Sequence, residues 1–279
     1  MRSLIHTLVY GSFFISCCAV AFCMETAWLL GLPLQRPAFY ILVFCTTLVQ
    51  YNLHYRIKKT ANPGSERFRW SQSHKHLHLA FMLTGLAGAA VALCFLSLRH
   101  FLALAAIGCV SLLYSLPLLP FRQRKRIKDF GLLKILVLSL VWTLITVWFP
   151  YVNVRSSFNT EFWLVFGRRF VFMFVLCLAF DIRDADTDRK DGIHTLPVML
   201  SRRFCYRLIG VLLLLFLALS VWELRNGGGL LRFNAMLLSM LATWLIIGYS
   251  RKQDGDMLYL AGIDGMMLLQ AVLVGIGTL

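Results

Sequence analysis

Residues 161–191 read EFWLVFGRRFVFMFVLCLAFDIRDADTDRKD. The first two-thirds are an apolar run of the length that crosses a bilayer's hydrocarbon core as a helix, about 20 residues. The last third carries Asp181, Asp184, Asp186, Asp188 and Asp191, so five of the chain's 13 acidic residues fall within one short stretch. If the helix continues into them, Asp181, Asp184 and Asp188 stand at i, i+3 and i+7 and share a face. Three carboxylates crowded at a helix mouth repel one another unless a cation sits among them. Oxygen ligands of this kind suit Mg²⁺, which keeps waters and bridges to substrate phosphates. Arg183, Arg189 and Lys190 could neutralise part of the cluster or bind phosphate oxygens. The plainer alternative is a solvated charged loop, but ionisable groups at a membrane helix mouth usually serve function.

Working outward, the same apolar pattern covers the whole chain. Of 279 residues, 59% are hydrophobic and only 15% charged, against about 25% charged in ordinary soluble domains. Backbone groups in lipid must be satisfied within the segment, so spans are helices or closed barrels; strand-like alternation is absent, which predicts helices. Nine spans are expected, over 4–27, 37–55, 77–97, 100–119, 131–150, 161–181, 204–222, 231–249 and 257–278, as a single domain over 1–279. The first segment is too long for the core of a signal peptide and lacks a clean cleavage site, so it reads as a retained span. The eight cysteines include no C-x-x-C pair and read as small apolar residues.

Charge placement sets the expected topology. With nine spans, the N-terminus and the loops after spans 2, 4, 6 and 8 share one side. That side collects 21 of the 28 lysines and arginines, leaving Arg36, Arg99, Arg155, Arg168, Arg169, Arg225 and Arg232 for the other. Positive charge marks the cytoplasmic face. The N-terminus is therefore expected inside and the C-terminus outside, in the plasma (inner) membrane for a bacterial chain. The net charge of +15 follows from topology and attraction to anionic headgroups. No folded basic domain exists to bind nucleic acid.

The string DIRDADTDRKDGIHTLP at 181–197 resembles the second aspartate-rich motif of the UbiA family of intramembrane prenyltransferases, D-x-x-D-x-x-x-D followed by Gly and Thr-Leu. A further stretch is similar to the family's connection between helices 4 and 5: Tyr114, Ser115 and Pro117, a basic loop with Lys128 and Asp129, and a span with Lys134 near its start. The resemblance implies an all-α, polytopic bundle of nine helices around a central cavity. It implies Mg²⁺ as cofactor, held by Asp181, Asp184 and Asp188 on the diphosphate of an isoprenyl donor, and transfer to a lipid-soluble or aromatic acceptor that the sequence does not identify. Asn52, Arg56, Arg122, Lys128 and Arg183 are the candidate diphosphate-binding residues.

The chain departs from the family at the end of its second span. The family's first motif reads N-D-x-x-D-x-x-x-D there; this chain reads YNLHYRIKKT over 51–60. Asn52 matches the leading Asn, every aspartate is absent, and Arg56 stands where a metal ligand would be. Three readings follow. In one, the second motif works alone and Arg56, Lys58 and Lys59 replace one metal by fixed positive charge. In another, His54 takes part in an altered site. In the third, the chain keeps the fold and the lipid cavity without the transfer chemistry and binds isoprenoids only. A transporter, built on Glu25 and Asp264 inside the spans, is a more distant alternative. His74, His76 and His78 form H-x-H-x-H, which reads as polar anchoring because no acidic or cysteine ligand completes a metal set.

Overall fold

Apolar helices separated by Gly, Pro and Asn punctuation build the whole of the described chain. The computed structural model describes residues 2–57, 65–115, 131–155 and 157–278. In chain order the helices are α1 (Arg2–Tyr10), α2 (Phe13–Leu29), α3 (Pro37–Ile57), α4 (Glu66–Ser73), α5 (Lys75–Cys94), α6 (Leu98–Ser115), α7 (Gly131–Thr143), α8 (Phe149–Val152), α9 (Thr160–Lys190), α10 (Leu196–Met199), α11 (Arg202–Arg225), α12 (Leu230–Tyr249) and α13 (Gly265–Thr278). A π-turn over Leu144–Trp148 joins α7 to α8, and another over Leu258–Ile263 leads into α13. No strand occurs among the described residues.

A described helix lies at each of the nine expected places. Among the described residues six are long and apolar enough to cross a membrane, or seven if the bent pair α1–α2 counts as one. Leu98–Ser111 of α6 is a shorter apolar stretch among those residues, and α3 ends in Gln50, Asn52, His54 and Arg56. The first expected span is also not continuous. It breaks at Gly11–Ser12, where Ser12 takes a left-handed φ of 71°, and its two halves meet at 59°. The Gly11 carbonyl freed by the break accepts a hydrogen bond from Asn52 Nδ2 at 3.1 Å, which satisfies it away from water.

α9 is the central helix. In its apolar stretch 72% of residues are buried, against 22–44% in the other five spans. It starts at Asn159, whose side chain accepts from Phe162 N at 2.9 Å, and its 31 residues extend about 46 Å at 1.5 Å per residue. α7 and α11 flank it, and contacts then run from α11 to α12, α13, α2, α3 and α5, with the π-turn after α7 closing back on α2. Between helices in lipid the attraction is close packing, so small residues mark the tightest seams. At Gly85 of α5 an added Cβ would lie 2.8 Å from Val49 Cγ2 and 3.1 Å from the Cys45 carbonyl of α3. Phe22, Phe172 and Phe216 join α2, α9 and α11, with ring centroids 6.0 and 5.7 Å apart along the row. All eight cysteines are free.

Candidate functional site

The helical extension of α9 through Lys190 carries the acidic run as a helix and not as a loop. Asp181 and Asp188 are 4% and 7% exposed, and both turn to the same partner. Lys134 Nζ, one turn into α7, lies 2.7 Å from Asp181 Oδ1 and 3.5 Å from Asp188 Oδ2. This shared partner shows that the i and i+7 carboxylates face one way, as the spacing predicts. The other Asp181 oxygen, Oδ2, is buried with no hydrogen-bond partner.

Asp184 is held differently. Arg183 Nε donates to Asp184 Oδ1 at 2.7 Å and Nη2 to Oδ2 at 3.4 Å. The same guanidinium lies 3.7 Å from Asp256 Oδ1 and over the Phe180 and Tyr259 rings, 5.0 and 4.8 Å from their centroids. Cation–π contact of this kind holds a guanidinium in place as well as an ion pair does. Asp256 comes from the connection before α13. Its Oδ2 accepts from Ser65 Oγ at 2.7 Å and Arg67 N at 2.9 Å, so a carboxylate sits at the positive N-terminus of α4. The first and last connections at this end of the bundle are thereby tied to the acidic motif. Asp186 and Asp191 belong to the exposed side. Asp186 is 67% exposed and pairs with Arg202 at 2.7 Å.

The turn that follows the motif locks α7 against it. Ile193 N donates to Asp188 O at 2.8 Å, and Gly192 takes φ of +69°, which a residue without Cβ adopts freely. Gly131, the first residue of α7, packs so closely on the turn that an added Cβ would lie 1.6 Å from the His194 carbonyl oxygen. Lys134 is therefore aimed by backbone packing.

The remaining candidates are spread more widely. Asn52 is fully buried. Its Nδ2 donates to the carbonyls of Gly11 and Leu48 at 3.1 and 2.8 Å, and its Oδ1 accepts from His78 Nδ1. The His78 ring also meets Ser71 Oγ at 3.1 Å. Asn52 thus knots α3 to the α1–α2 break and to α5. The side chain of Arg56, and Arg122 and Lys128 entirely, lie outside the described residues. His74 stacks on Trp70, ring centroids 4.6 Å apart, so the H-x-H-x-H run is divided between two uses. Among the described residues no three His, Cys, Asp or Glu side chains converge as a metal site.

Three features of the site carried little signal in the sequence. Asp256 lies far along the chain from the motif. Lys134 reads as a candidate diphosphate contact near the start of a span, with no carboxylate partner assigned to it. The arginines Arg168 and Arg169 fall inside the span expected over 161–181 and count there only as charges of the opposite face; both are 2% exposed within α9. Arg169 Nη2 lies 3.1 Å from Glu25 Oε2, the guanidinium stacks 3.5 Å over Phe22, and Gln270 Nε2 donates to Glu25 Oε1 at 3.2 Å. Arg168 pairs with Glu223. The run RR inside an apolar stretch, with Glu25 inside another, was the available hint that buried charges must find partners.

Comparison with known proteins agrees with this architecture. The sequence profile of the UbiA prenyltransferase family matches residues 71–261. An apo UbiA homologue from Aeropyrum pernix K1 is similar in fold, with a TM-score of 0.60 at 16% identity over 94% of this chain and 96% of that one. A UbiA homologue from Archaeoglobus fulgidus, solved with GPP and Mg²⁺, gives a TM-score of 0.57 at 12% identity over 96% and 95%. A structure of digeranylgeranylglyceryl phosphate synthase gives 0.58 at 12% identity over 100% and 99%. No curated protein sequence matches the chain. With an all-helical fold shared along its length and a family match across most of its residues, the chain belongs to the UbiA prenyltransferase family.

Proposed function

We propose that this protein, a multi-pass membrane protein of the UbiA fold, moves an isoprenyl group from an isoprenyl diphosphate to a lipid-soluble or aromatic acceptor in a Mg²⁺-dependent reaction. The observation that carries the reading is the pair Asp181 and Asp188, nearly buried and turned to one point at the end of the central helix. The reading takes residues 1–279 as one domain, with the N-terminus and the acidic end of α9 on the cytoplasmic side.

The residues fit a divalent ion. Mg²⁺ is commonly held by one or two carboxylates plus substrate phosphates and waters, and Asp181 Oδ2 is a buried carboxylate oxygen with no hydrogen-bond partner. Asp181, Asp184 and Asp188 would hold the ion, which supplies positive charge for the departing diphosphate. The chain's own residues do the rest. Arg183, fixed over Phe180 and Tyr259, offers guanidinium donors to phosphate oxygens; Arg56, Arg122 and Lys128 are assigned the same role. Asn52 holds the end of α3 in register. Buried aromatic groups such as Trp142 and Phe172 keep water from an allylic cation formed as the C–O bond breaks.

The test is purified protein with Mg²⁺, labelled isoprenyl diphosphates and an acceptor panel, comparing wild type with Asp181→Asn. Donor consumption by wild type that is lost in the variant supports transfer. If neither binds nor consumes any donor, the proposal fails. A second reading, an isoprenoid-binding protein without turnover, is favoured by one observation: where the family's first motif places aspartates, this chain has none, and Asn52 there is sealed by internal hydrogen bonds. Tight donor binding with no product across the panel would support it.

A further inference from the structure

On the donor-binding reading proposed above, we infer that Lys134 is a built-in counter-cation that takes the place of one divalent ion, so that the donor binds with a single Mg²⁺. The ammonium group lies between two carboxylates of the acidic motif, 2.7 Å from Asp181 and 3.5 Å from Asp188, and so occupies the two side chains that would hold an ion. The carboxylates are 6% and 10% exposed in their side chains and the lysine 19%. Solvent and salt therefore screen the trio far less than a surface pair.

Two further observations converge on this role. Lys134 is held by the bundle: it stands one turn after Gly131, whose backbone is pressed against the His194 carbonyl, so the α7 backbone that carries it has little freedom to shift away from the carboxylates. The sequence also lacks the aspartates at the end of α3 that would receive a second ion. A fixed cation on one wall and a carboxylate-free opposite wall are two halves of one change. The cost of the arrangement is competition, because an ion must share Asp181 and Asp188 with the ammonium group.

That competition gives a test without turnover. Purified protein in detergent is titrated with Mn²⁺ alone, and free Mn²⁺ is counted by electron paramagnetic resonance. Lys134→Met is expected to bind one Mn²⁺ about tenfold or more tighter than wild type, since the lost contacts are charge-assisted hydrogen bonds. Lys134→Arg should stay close to wild type, and Asp181→Asn in the Lys134→Met background should lose the gain. Equal Mn²⁺ affinity in wild type and Lys134→Met overturns the inference; Lys134→Gln provides the same comparison should the methionine variant not fold.

The second arm adds geranyl thiolodiphosphate, which binds without being transferred. Wild type is expected to take up one Mn²⁺ per bound analogue, and Lys134→Met two. Two ions in wild type would overturn the role of Lys134 while leaving donor binding intact. An analogue that never binds would sink the donor-binding reading, whereas the Mn²⁺ titration still decides whether Lys134 and a metal compete.

Discussion

α9 carries two sets of charged groups, and they are used in opposite ways. In its first half, Arg168 and Arg169 are answered by Glu223 and Glu25, with the Arg169–Glu25 pair buried to 1% and 0% and held by Gln270 and the Phe22 ring. In its last turns, Asp181, Asp184 and Asp188 are answered by Lys134 and Arg183, with side-chain exposures from 6% to 31%. The first set is one positive and one negative partner per contact, enclosed by apolar packing. The second is more exposed and opens towards the connections at the end of the bundle. Charge that is sealed holds helices together; charge that is reachable is available to a ligand.

The contrast orders the expected effects of substitution. The largest falls on the sealed pair. Glu25→Ala leaves Arg169 buried without its anion, and breaking one side of a buried pair costs roughly 3–5 kcal/mol. Thermal unfolding in detergent should show a large drop in midpoint, and the double variant Glu25→Gln/Arg169→Gln should recover much of it. Should Glu25→Ala retain the wild-type midpoint, the pair would not be structural. Next comes Gly131→Ala. A methyl group cannot occupy a point 1.6 Å from the His194 carbonyl, so α7 must shift and carry Lys134 with it. Folded yield and donor binding should fall together, and normal values for both would contradict the packing described.

The open site should separate stability from function. Asp181→Asn is expected to keep a near-wild-type midpoint while lowering the rate of donor consumption on the order of 10²-fold, the usual scale for removing one electrostatic contributor to a transition state. A loss of stability equal to that of Glu25→Ala would mean that the two regions do not differ in kind. The smallest effect belongs to the outer side of the same acidic run. Asp186 and Arg202 are 67% and 51% exposed, and exposed pairs contribute about 0–1 kcal/mol. Asp186→Asn should leave unfolding and donor binding within error of wild type in parallel assays; a marked loss of binding would extend the site to that face.

These differences bear on what a reading of residues reaches. The i, i+3, i+7 spacing of Asp181, Asp184 and Asp188 is a local property of one helix, and it held because the helix runs on through Lys190. The apolar stretches likewise located the helices. Other features depended on where distant segments meet. The break at Gly11 needs Asn52 of α3 to receive its carbonyl, so the first span looked continuous. Arg168 and Arg169 counted only as charges of the opposite face, because their partners, Glu223 and Glu25, lie 55 and 144 positions away. Asn52 reads as a candidate diphosphate-binding residue, while the structure turns its amide to Gly11, Leu48 and His78.

Sequence alone determined that this is an all-helical membrane protein with one crowded acidic helix face and no aspartates at the end of α3. Those are properties of composition and of spacing along one helix, where backbone geometry alone sets neighbours. Only the tertiary structure decided which cation answers each carboxylate: Lys134 for Asp181 and Asp188, Arg183 for Asp184 and Asp256, Arg169 for Glu25. Ion pairs are chosen by proximity in space and strengthened by burial, and neither is written into the order of residues along the chain.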